Sequence, residues 1–223
     1  MDLYHALNRG VDKRTIFEDS QDYARFVHDM FEFNSTERSR NLYRNMCDVG
    51  RRTLKEREAE KIVDIHGWCL MGNHYHLLLS EHIEGGIPLF LKKLNGGYAK
   101  YFNERYNRSG ALFQGKTKKI LIDNDAHFLH ILNYIHFNAL DRSENTAHWR
   151  SRKVVDYTNA LKALHNYRWS SYLDYVGVPN FPSILTTGLF KGVFNNDYSS
   201  QVERYLRDID MDKTQHLSLE NKD

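Results

Sequence analysis

The stretch that decides the fold is "LMGNHYHLLLS", residues 70–80. Its Gly72-Asn73 pair separates two apolar runs, and a two-residue loop that contains glycine is typical of a β-hairpin. We therefore predict one strand over residues 62–71 and a second over residues 74–80, joined by a tight turn.

The second predicted strand begins with His74 and His76 on either side of Tyr75. Because residues two apart in a strand lie on the same face, both imidazoles should stand side by side, with Tyr75 on the opposite face. Such a pair can bind one metal ion or one phosphate. In a chain with 12 histidines the pattern also arises by chance, so the motif alone does not establish a site.

A helix is predicted in "DNDAHFLHILNYIHFNALDR", residues 123–142, and its two faces differ in character. The apolar face carries Phe128, Ile131, Leu132, Ile135 and Ala139. The other face carries His127, His130, Tyr134 and Asn138, at spacings of three, four and four residues. This second face either offers a phenol, an amide and two imidazoles to a site or simply faces solvent, and in a chain with 14 tyrosines the pattern alone does not choose.

Further strands and helices are predicted besides the hairpin and this helix. "DLYHALNRG", residues 2–10, alternates and ends in a turn, as a first strand does. Helices are predicted after Asp19 or Ser20 and near Pro88, and the second contains Gly96-Gly97. "ALFQGKTKKILI", residues 111–122, indicates one or two strands with a basic edge.

Charge is unevenly distributed along the chain, although the net charge is only +2. Residues 85–122 contain eight basic side chains and a single acid, Glu104. A local excess of this kind indicates either a surface that faces a polyanion or a solvated helix face. The 41% hydrophobic and 27% charged content is ordinary for a soluble globular protein.

The remaining composition favours a cytoplasmic protein. No apolar run approaches the roughly 20 residues of a membrane span, and "MDLYHALNRG" does not resemble a signal peptide. Only Cys47 and Cys69 are present, without a CxxC pair, so we expect a reducing cytoplasm.

Five segments together resemble the single-tyrosine HUH transposases, and among them the REP-associated tyrosine transposases most closely. They span about residues 4–172. The segments are "YHALNRGVDKRTIF", "HGWCLMGNHYHLLLS", "LFQGKTKKILI", "LNYIHFNALDR" and "NYRWSSY". Where the family has proline before the Asn of its histidine motif this chain has Gly72, and where it has Asn-Pro after the helix this chain has Asn138-Ala139.

The resemblance implies an α+β fold, a ferredoxin-like antiparallel sheet with helices packed on it. It implies that His74 and His76, with Asn138 as a third ligand, bind a divalent metal, Mg²⁺ or Mn²⁺. It also implies that Tyr134 is the nucleophile, while His127 and His130 are candidate helpers because they share its helix face.

The function implied is that of a metal-dependent, hairpin-specific single-stranded DNA endonuclease and strand transferase that forms a 5′-phosphotyrosine intermediate. The same resemblance implies a cytoplasmic protein associated with the nucleoid. Relatives are monomers or homodimers, and both states are open here. The basic side chains expected to contact DNA are Lys92, Lys93, Lys100, Arg105, Lys116, Lys118 and Lys119. Tyr98, Tyr101, Phe102 and Phe113 could stack on unpaired bases, although several of these must be core.

Two alternatives belong to other classes of protein. One is a domesticated, non-catalytic protein that binds hairpin DNA or RNA through the same basic face. The other is a zinc-dependent hydrolase that uses His74, His76 and Cys69.

For the domain organisation we predict a transposase domain over residues 1–172 with a basic insertion at about 38–61. A helical C-terminal extension follows over residues 173–223, of which about the last ten should be disordered.

Overall fold

A computed structural model of the protein describes residues 1–37, 60–142, 146, 149–150 and 156–208. Nearly all of the predicted basic insertion, and the final residues predicted to be disordered, lie outside the described residues.

The centre of the fold is a four-stranded antiparallel sheet in the order β2-β3-β1-β4. The strands are β1 (Leu3–Arg9), β2 (Val63–Met71), β3 (His74–Glu81) and β4 (Lys118–Leu121). The predicted hairpin is thereby confirmed as β2 and β3, with its turn at Gly72-Asn73. The basic strand prediction over residues 111–122 is confirmed only for the four residues of β4.

Seven α-helices are described around this sheet. They are α1 (Ser20–Phe33), α2 (Gly86–Arg105), α3 (Asp125–Phe137), α4 (Tyr157–Asn166), α5 (Tyr172–Tyr175), α6 (Gly188–Val193) and α7 (Tyr198–Asp208). Asp19 caps α1 by accepting hydrogen bonds from two backbone amides, and Asn124 caps α3 by accepting one from the amide of His127. After Phe137 the chain tightens into a 3₁₀ turn, Asn138–Arg142, so Ala139 does not prolong the α-helix.

Helices cover both faces of the sheet, which explains why β3 is apolar without alternation. Tyr75, Leu77 and Leu79 pack into a core with α1 and α2. Leu78, on the other face, packs into a second core with α3 and the C-terminal helices. A strand buried on both sides gains from apolar residues at every position. The predicted α+β class, with C-terminal helices, is thus confirmed.

The C-terminal helices are tied into the second core through a buried histidine. His136 of α3 is hydrogen-bonded through Nδ1 to the Tyr198 hydroxyl at 2.8 Å and through Nε2 to Ser171 Oγ at 2.7 Å. Burial lowers the pKa of His136 to about 3, so the ring is neutral and links α3 to α7 structurally. The proposed boundary at residue 172 remains a prediction. No helix within the described ranges combines the length and the apolarity needed to cross a membrane.

Two adjacent glycines in α2 have different surroundings. A Cβ atom built on Gly97 would lie 2.3 Å from Cε2 of Phe33, at the end of α1, whereas one built on Gly96 would have no atom within 4 Å. Gly97 is therefore required for the close approach of α1 and α2, and Gly96 is not.

We predict opposite effects of alanine at these two positions. Gly96→Ala should stabilise the protein by up to about 1 kcal/mol through helix propensity. Gly97→Ala gains the same propensity but overpacks the contact with Phe33, which costs about 1–3 kcal/mol. Urea unfolding should place Gly97→Ala roughly 2 kcal/mol below Gly96→Ala. Equal stabilities for the two variants would contradict the close packing.

Candidate active site

The two motif histidines lie side by side on one face of β3. Their ring centroids are 5.0 Å apart, His76 is fully buried, and His74 is 8% exposed. Tyr75 lies on the opposite face, where its hydroxyl donates to Asn95 Oδ1 at 2.7 Å and burial raises its pKa to about 12. The structure thus places these three side chains as the strand spacing predicts.

Helix α3 brings Tyr134 against the histidine face. The Tyr134 ring packs edge-on against His76, with centroids 6.0 Å apart, and against His5 at 5.8 Å. Trp149 packs on it at 5.8 Å, and only 3% of Tyr134 is exposed. Two sequence motifs 58 residues apart therefore meet in a buried cluster.

His5, on β1, is a member of this cluster that sequence reasoning missed. Its Nε2 lies 2.9 Å from Nδ1 of His76, and the two rings stack at 5.1 Å with an interplanar angle of 22°. His5 shares a strand face with Leu7, which stands directly opposite His76. The alternation of "YHALNR" could have shown that face, but not which strand pairs with it.

His74 is also hydrogen-bonded to the protein through Nδ1. Nδ1 lies 2.6 Å from Oδ1 of Asn73, in the hairpin turn. The Asn73 amide nitrogen donates to the backbone carbonyl of Lys13 at 3.1 Å, which orients the carboxamide with its oxygen toward His74. Because that oxygen can only accept, His74 carries a proton on Nδ1.

Asn138 is held by its own helix and by an arginine. Its amide nitrogen donates to the Tyr134 carbonyl at 2.8 Å, and its oxygen accepts from Nη2 of Arg150 at 2.6 Å. Arg150 also pairs with Asp141 and lies over the Tyr134 ring, 5.9 Å from its centroid. Arg150 and Trp149 were not singled out from the sequence, since nothing in their spacing connects them to the tyrosine.

The two proposed helper histidines, both on α3, differ in their surroundings. His127 is buried, and its backbone amide donates to the capping Asn124. His130 packs against Tyr205 of α7 at 5.2 Å, and burial lowers its pKa. A helper role for either histidine remains a prediction.

The donor set fits a divalent cation in part. Two imidazoles on one face, with Nδ1 of each engaged by the protein, form the kind of pair that metal sites use. The Asn138 oxygen is a suitable third donor by chemistry, but in this conformation it accepts from a guanidinium.

The zinc alternative finds no support in the described ranges. No group of three His, Cys, Asp or Glu side chains there could hold a metal ion. Cys69 does stand opposite His76 in the sheet, but it is fully buried, and burial raises the pKa of its thiol.

The predicted DNA-binding cations divide into two groups. Lys92, Lys100, Lys116, Lys118 and Lys119 are exposed. Lys93 and Arg105 are engaged within the fold: Lys93 donates to the Ser35 carbonyl at 2.6 Å, and Arg105 pairs with Asp19 and Asp22 at 2.5 Å each. Internal pairing leaves these two less charge to offer a phosphate.

Register determines which cations share the histidine face. Lys118 stands opposite Leu7, which stands opposite His76, so all three lie in one row on the same face. Lys119 lies on the other face, with its Nζ over the Tyr4 ring. Arg9, also missed from the sequence, stands opposite His74, and its Nε is buried without a hydrogen-bond partner among the described residues.

Comparisons with known proteins identify the family. The sequence model of the family described as "Transposase IS200 like" matches residues 27–138, which is half of the chain. A solved REP-associated tyrosine transposase, bound to a REP hairpin, aligns with 83% of this chain and 84% of its own at 11% identity, with a TM-score of 0.44. No curated protein matches the sequence significantly. The family match contains the hairpin with His74 and His76 and the helix with Tyr134, and the protein therefore belongs to the IS200-like transposase family.

Proposed function

We propose that the protein is a metal-dependent single-stranded DNA endonuclease and strand transferase that acts on hairpin-bearing DNA through a covalent bond to Tyr134. The observation that carries this proposal is the contact of the Tyr134 ring with His76, which joins the helix motif to the strand motif. Membership of the transposase family supports the same proposal.

In the proposed reaction Tyr134 Oη attacks a backbone phosphorus of the DNA. The new bond joins this oxygen to phosphorus, the bond from phosphorus to the 3′ oxygen breaks, and the leaving oxygen takes up a proton as a free 3′-OH. A 3′-OH can later reverse the attack, so bond energy is conserved and no nucleotide cofactor is needed. A bound divalent cation, Mg²⁺ or Mn²⁺, would supply polarisation of the phosphate oxygens.

The chain's own residues supply nucleophile, ligands and positive charge. A phenol of ordinary pKa, about 10, is mostly protonated at neutral pH and must lose its proton to a neighbouring group. The His5 and His76 rings contact the Tyr134 ring, and both are buried with it. The Arg150 guanidinium lies over that ring, where its positive charge would stabilise both the phenolate form of Tyr134 and a bound phosphate.

A second candidate function, hairpin binding without cleavage, is favoured by two observations. Tyr134 is almost completely buried, and the oxygen of Asn138 is occupied by Arg150. A protein that binds hairpins through its basic face and never opens this cluster would have the same fold. Covalent adduct formation separates the two functions.

We predict that wild type forms a covalent adduct with single-stranded, hairpin-bearing DNA in the presence of Mn²⁺, and that Tyr134→Phe forms none. Tyr75→Phe is the matched control, since Tyr75 lies between the histidines but on the opposite face. It should keep the adduct while losing about 1 kcal/mol of stability with its hydrogen bond to Asn95. Denaturing gels detect the adduct, and thermal unfolding checks each variant.

Two results would point elsewhere. An adduct that persists in Tyr134→Phe would remove Tyr134 as nucleophile. Tight binding with no adduct in wild type, insensitive to chelator and to His74→Ala, would favour the non-catalytic alternative.

Neighbouring lysines on β4 should separate DNA binding from catalysis. Removing one phosphate-neutralising side chain should lower the slope of log K against log salt by about 0.7 for single-stranded DNA, so both Lys118→Ala and Lys119→Ala should weaken binding modestly. Only Lys118 shares a face with His76, so only Lys118→Ala should also slow adduct formation at saturating DNA. Fluorescence anisotropy and single-turnover kinetics measure the two effects, and equal slowing by both variants would contradict the facial assignment.

If Asn138 is a metal ligand, Arg150 should compete with the cation for its oxygen. We predict that Arg150→Met binds Mn²⁺ about tenfold more tightly than wild type, a change of roughly 1.4 kcal/mol. In an Asn138→Ala background the same substitution should have a much smaller effect, since the contested oxygen is gone. Calorimetric titration of the four proteins completes the cycle. An equal effect in both backgrounds would exclude Asn138 as the site of competition.

A further inference from the structure

His5 and His76 form a buried pair of imidazoles. The two rings are joined through Nε2 of His5 and Nδ1 of His76, 2.9 Å apart, and both residues are fully buried. A hydrogen bond between two neutral imidazoles requires one nitrogen to carry the proton and the other to offer its lone pair. Two tautomeric arrangements are therefore available to this pair.

The arrangements differ in what His76 can do at its other nitrogen. If His76 donates from Nδ1, its Nε2 carries a lone pair and can bind a cation. If His5 donates from Nε2, the neutral His76 is protonated at Nε2 and cannot. The partner of Nδ1 thus decides whether the outer nitrogen is a ligand, as it does in metal sites generally.

We infer that His5 is the positioning residue that accepts the Nδ1 proton of His76 and so keeps Nε2 of His76 unprotonated, with the lone pair that a cation ligand needs, an inference that rests on the proposed metal-dependent function. His5 serves His76 as Asn73 serves His74, where the acceptor is an amide oxygen and the proton position follows from chemistry alone. Both motif histidines then present Nε2 as the ligand atom. The hairpin turn supports His74 through Asn73, and β1 supports His76 through His5.

The stacking geometry supports this role. The His5 and His76 rings are within 22° of parallel, so His5 restricts rotation of the His76 ring as well as its tautomer. His5 lies on β1, which pairs with β3 at seven positions, and this register holds His5 beside His76. Pre-organised imidazoles lose less entropy on binding a cation than rotating ones.

The decisive measurement uses the full-length wild-type protein without metal or DNA. Long-range ¹H–¹⁵N NMR of the imidazoles, at a pH where histidines are neutral, should show His76 protonated on Nδ1 and His5 unprotonated on Nε2. His74, protonated on Nδ1, is the internal reference. A His76 ring protonated on Nε2 would overturn the inference.

Two substitutions test the consequence for binding. His5→Gln keeps an acceptor oxygen at similar reach and should retain the His76 tautomer and Mn²⁺ affinity within a few fold. His5→Leu fills similar volume without an acceptor, and Mn²⁺ affinity should fall by about 10- to 100-fold, as for other lost supports of metal-bound histidines. Electron paramagnetic resonance of free Mn²⁺ measures affinity, and circular dichroism with thermal unfolding checks folding.

The outcomes separate this inference from the proposed function. Wild-type affinity in a folded His5→Leu variant, with binding lost in His76→Ala, would overturn the role of His5 while leaving the metal site intact. A folded His5→Gln variant that loses Mn²⁺ affinity as far as His5→Leu does would likewise overturn the inference, since restoring an acceptor would then not restore His76 as a ligand. If wild type binds no Mn²⁺, the metal part of the proposed function fails, and the NMR tautomer alone still decides whether His5 accepts from His76.

Discussion

The register between β1 and β3 is the constraint on which the site depends. It sets Leu7 opposite His76 and Arg9 opposite His74, and it carries His5 to the face on which Tyr134 packs. Since side chains alternate with a period of two, a slip of one residue would turn these β1 side chains to the opposite face. The register is in turn protected by burial, because each face of β3 belongs to a different core. A slip of one residue would move side chains from each core to the other face of the sheet, and polar groups would replace apolar ones in both cores.

Burial on both faces also determines how the polar groups of the sheet must be satisfied. A buried polar atom without a hydrogen-bond partner destabilises the fold, and here several buried histidines bridge two elements through hydrogen bonds. His66 of β2 links Ser80 of β3 to the Thr186 carbonyl, and His136 links Ser171 to Tyr198. These rings are structural ties, and the lowered pKa of each reflects burial in the neutral form. The His5–His76 pair also consists of buried imidazoles, but it packs against the Tyr134 ring and lies beside His74.

Sequence patterns predicted the local elements well, because local signals determine them. The Gly72-Asn73 turn, the Asp19 cap and the period of α3 depend on a few neighbouring residues, and each appears as expected. The parts that were missed depend on long-range pairing. His5, Arg9 and the facial position of Lys118 acquire meaning only once the strand order β2-β3-β1-β4 is known, and Arg150 only once its guanidinium is seen to lie over Tyr134. Similarly, spacing alone leaves the polar face of α3 either solvent-exposed or functional, whereas the C-terminal helices and Trp149 bury it.

The burial of Tyr134 imposes an energetic condition on any reaction at this residue. With the ring 3% exposed and Trp149 packed on it, a phosphate can reach Oη only if covering groups move. Arg150 is the covering group best suited to such an exchange, since it is partly exposed and bonds Asn138 and Asp141 through charge-assisted contacts. Breaking these bonds in water costs about 1.5–3 kcal/mol each, whereas exchanging them for bonds to a DNA phosphate is nearly neutral. A ligand shifts a conformational equilibrium only by its differential affinity for the two states. If Tyr134 is the nucleophile, as proposed, DNA that offers a phosphate to Arg150 would expose its hydroxyl as it binds, whereas the free protein keeps Tyr134 buried.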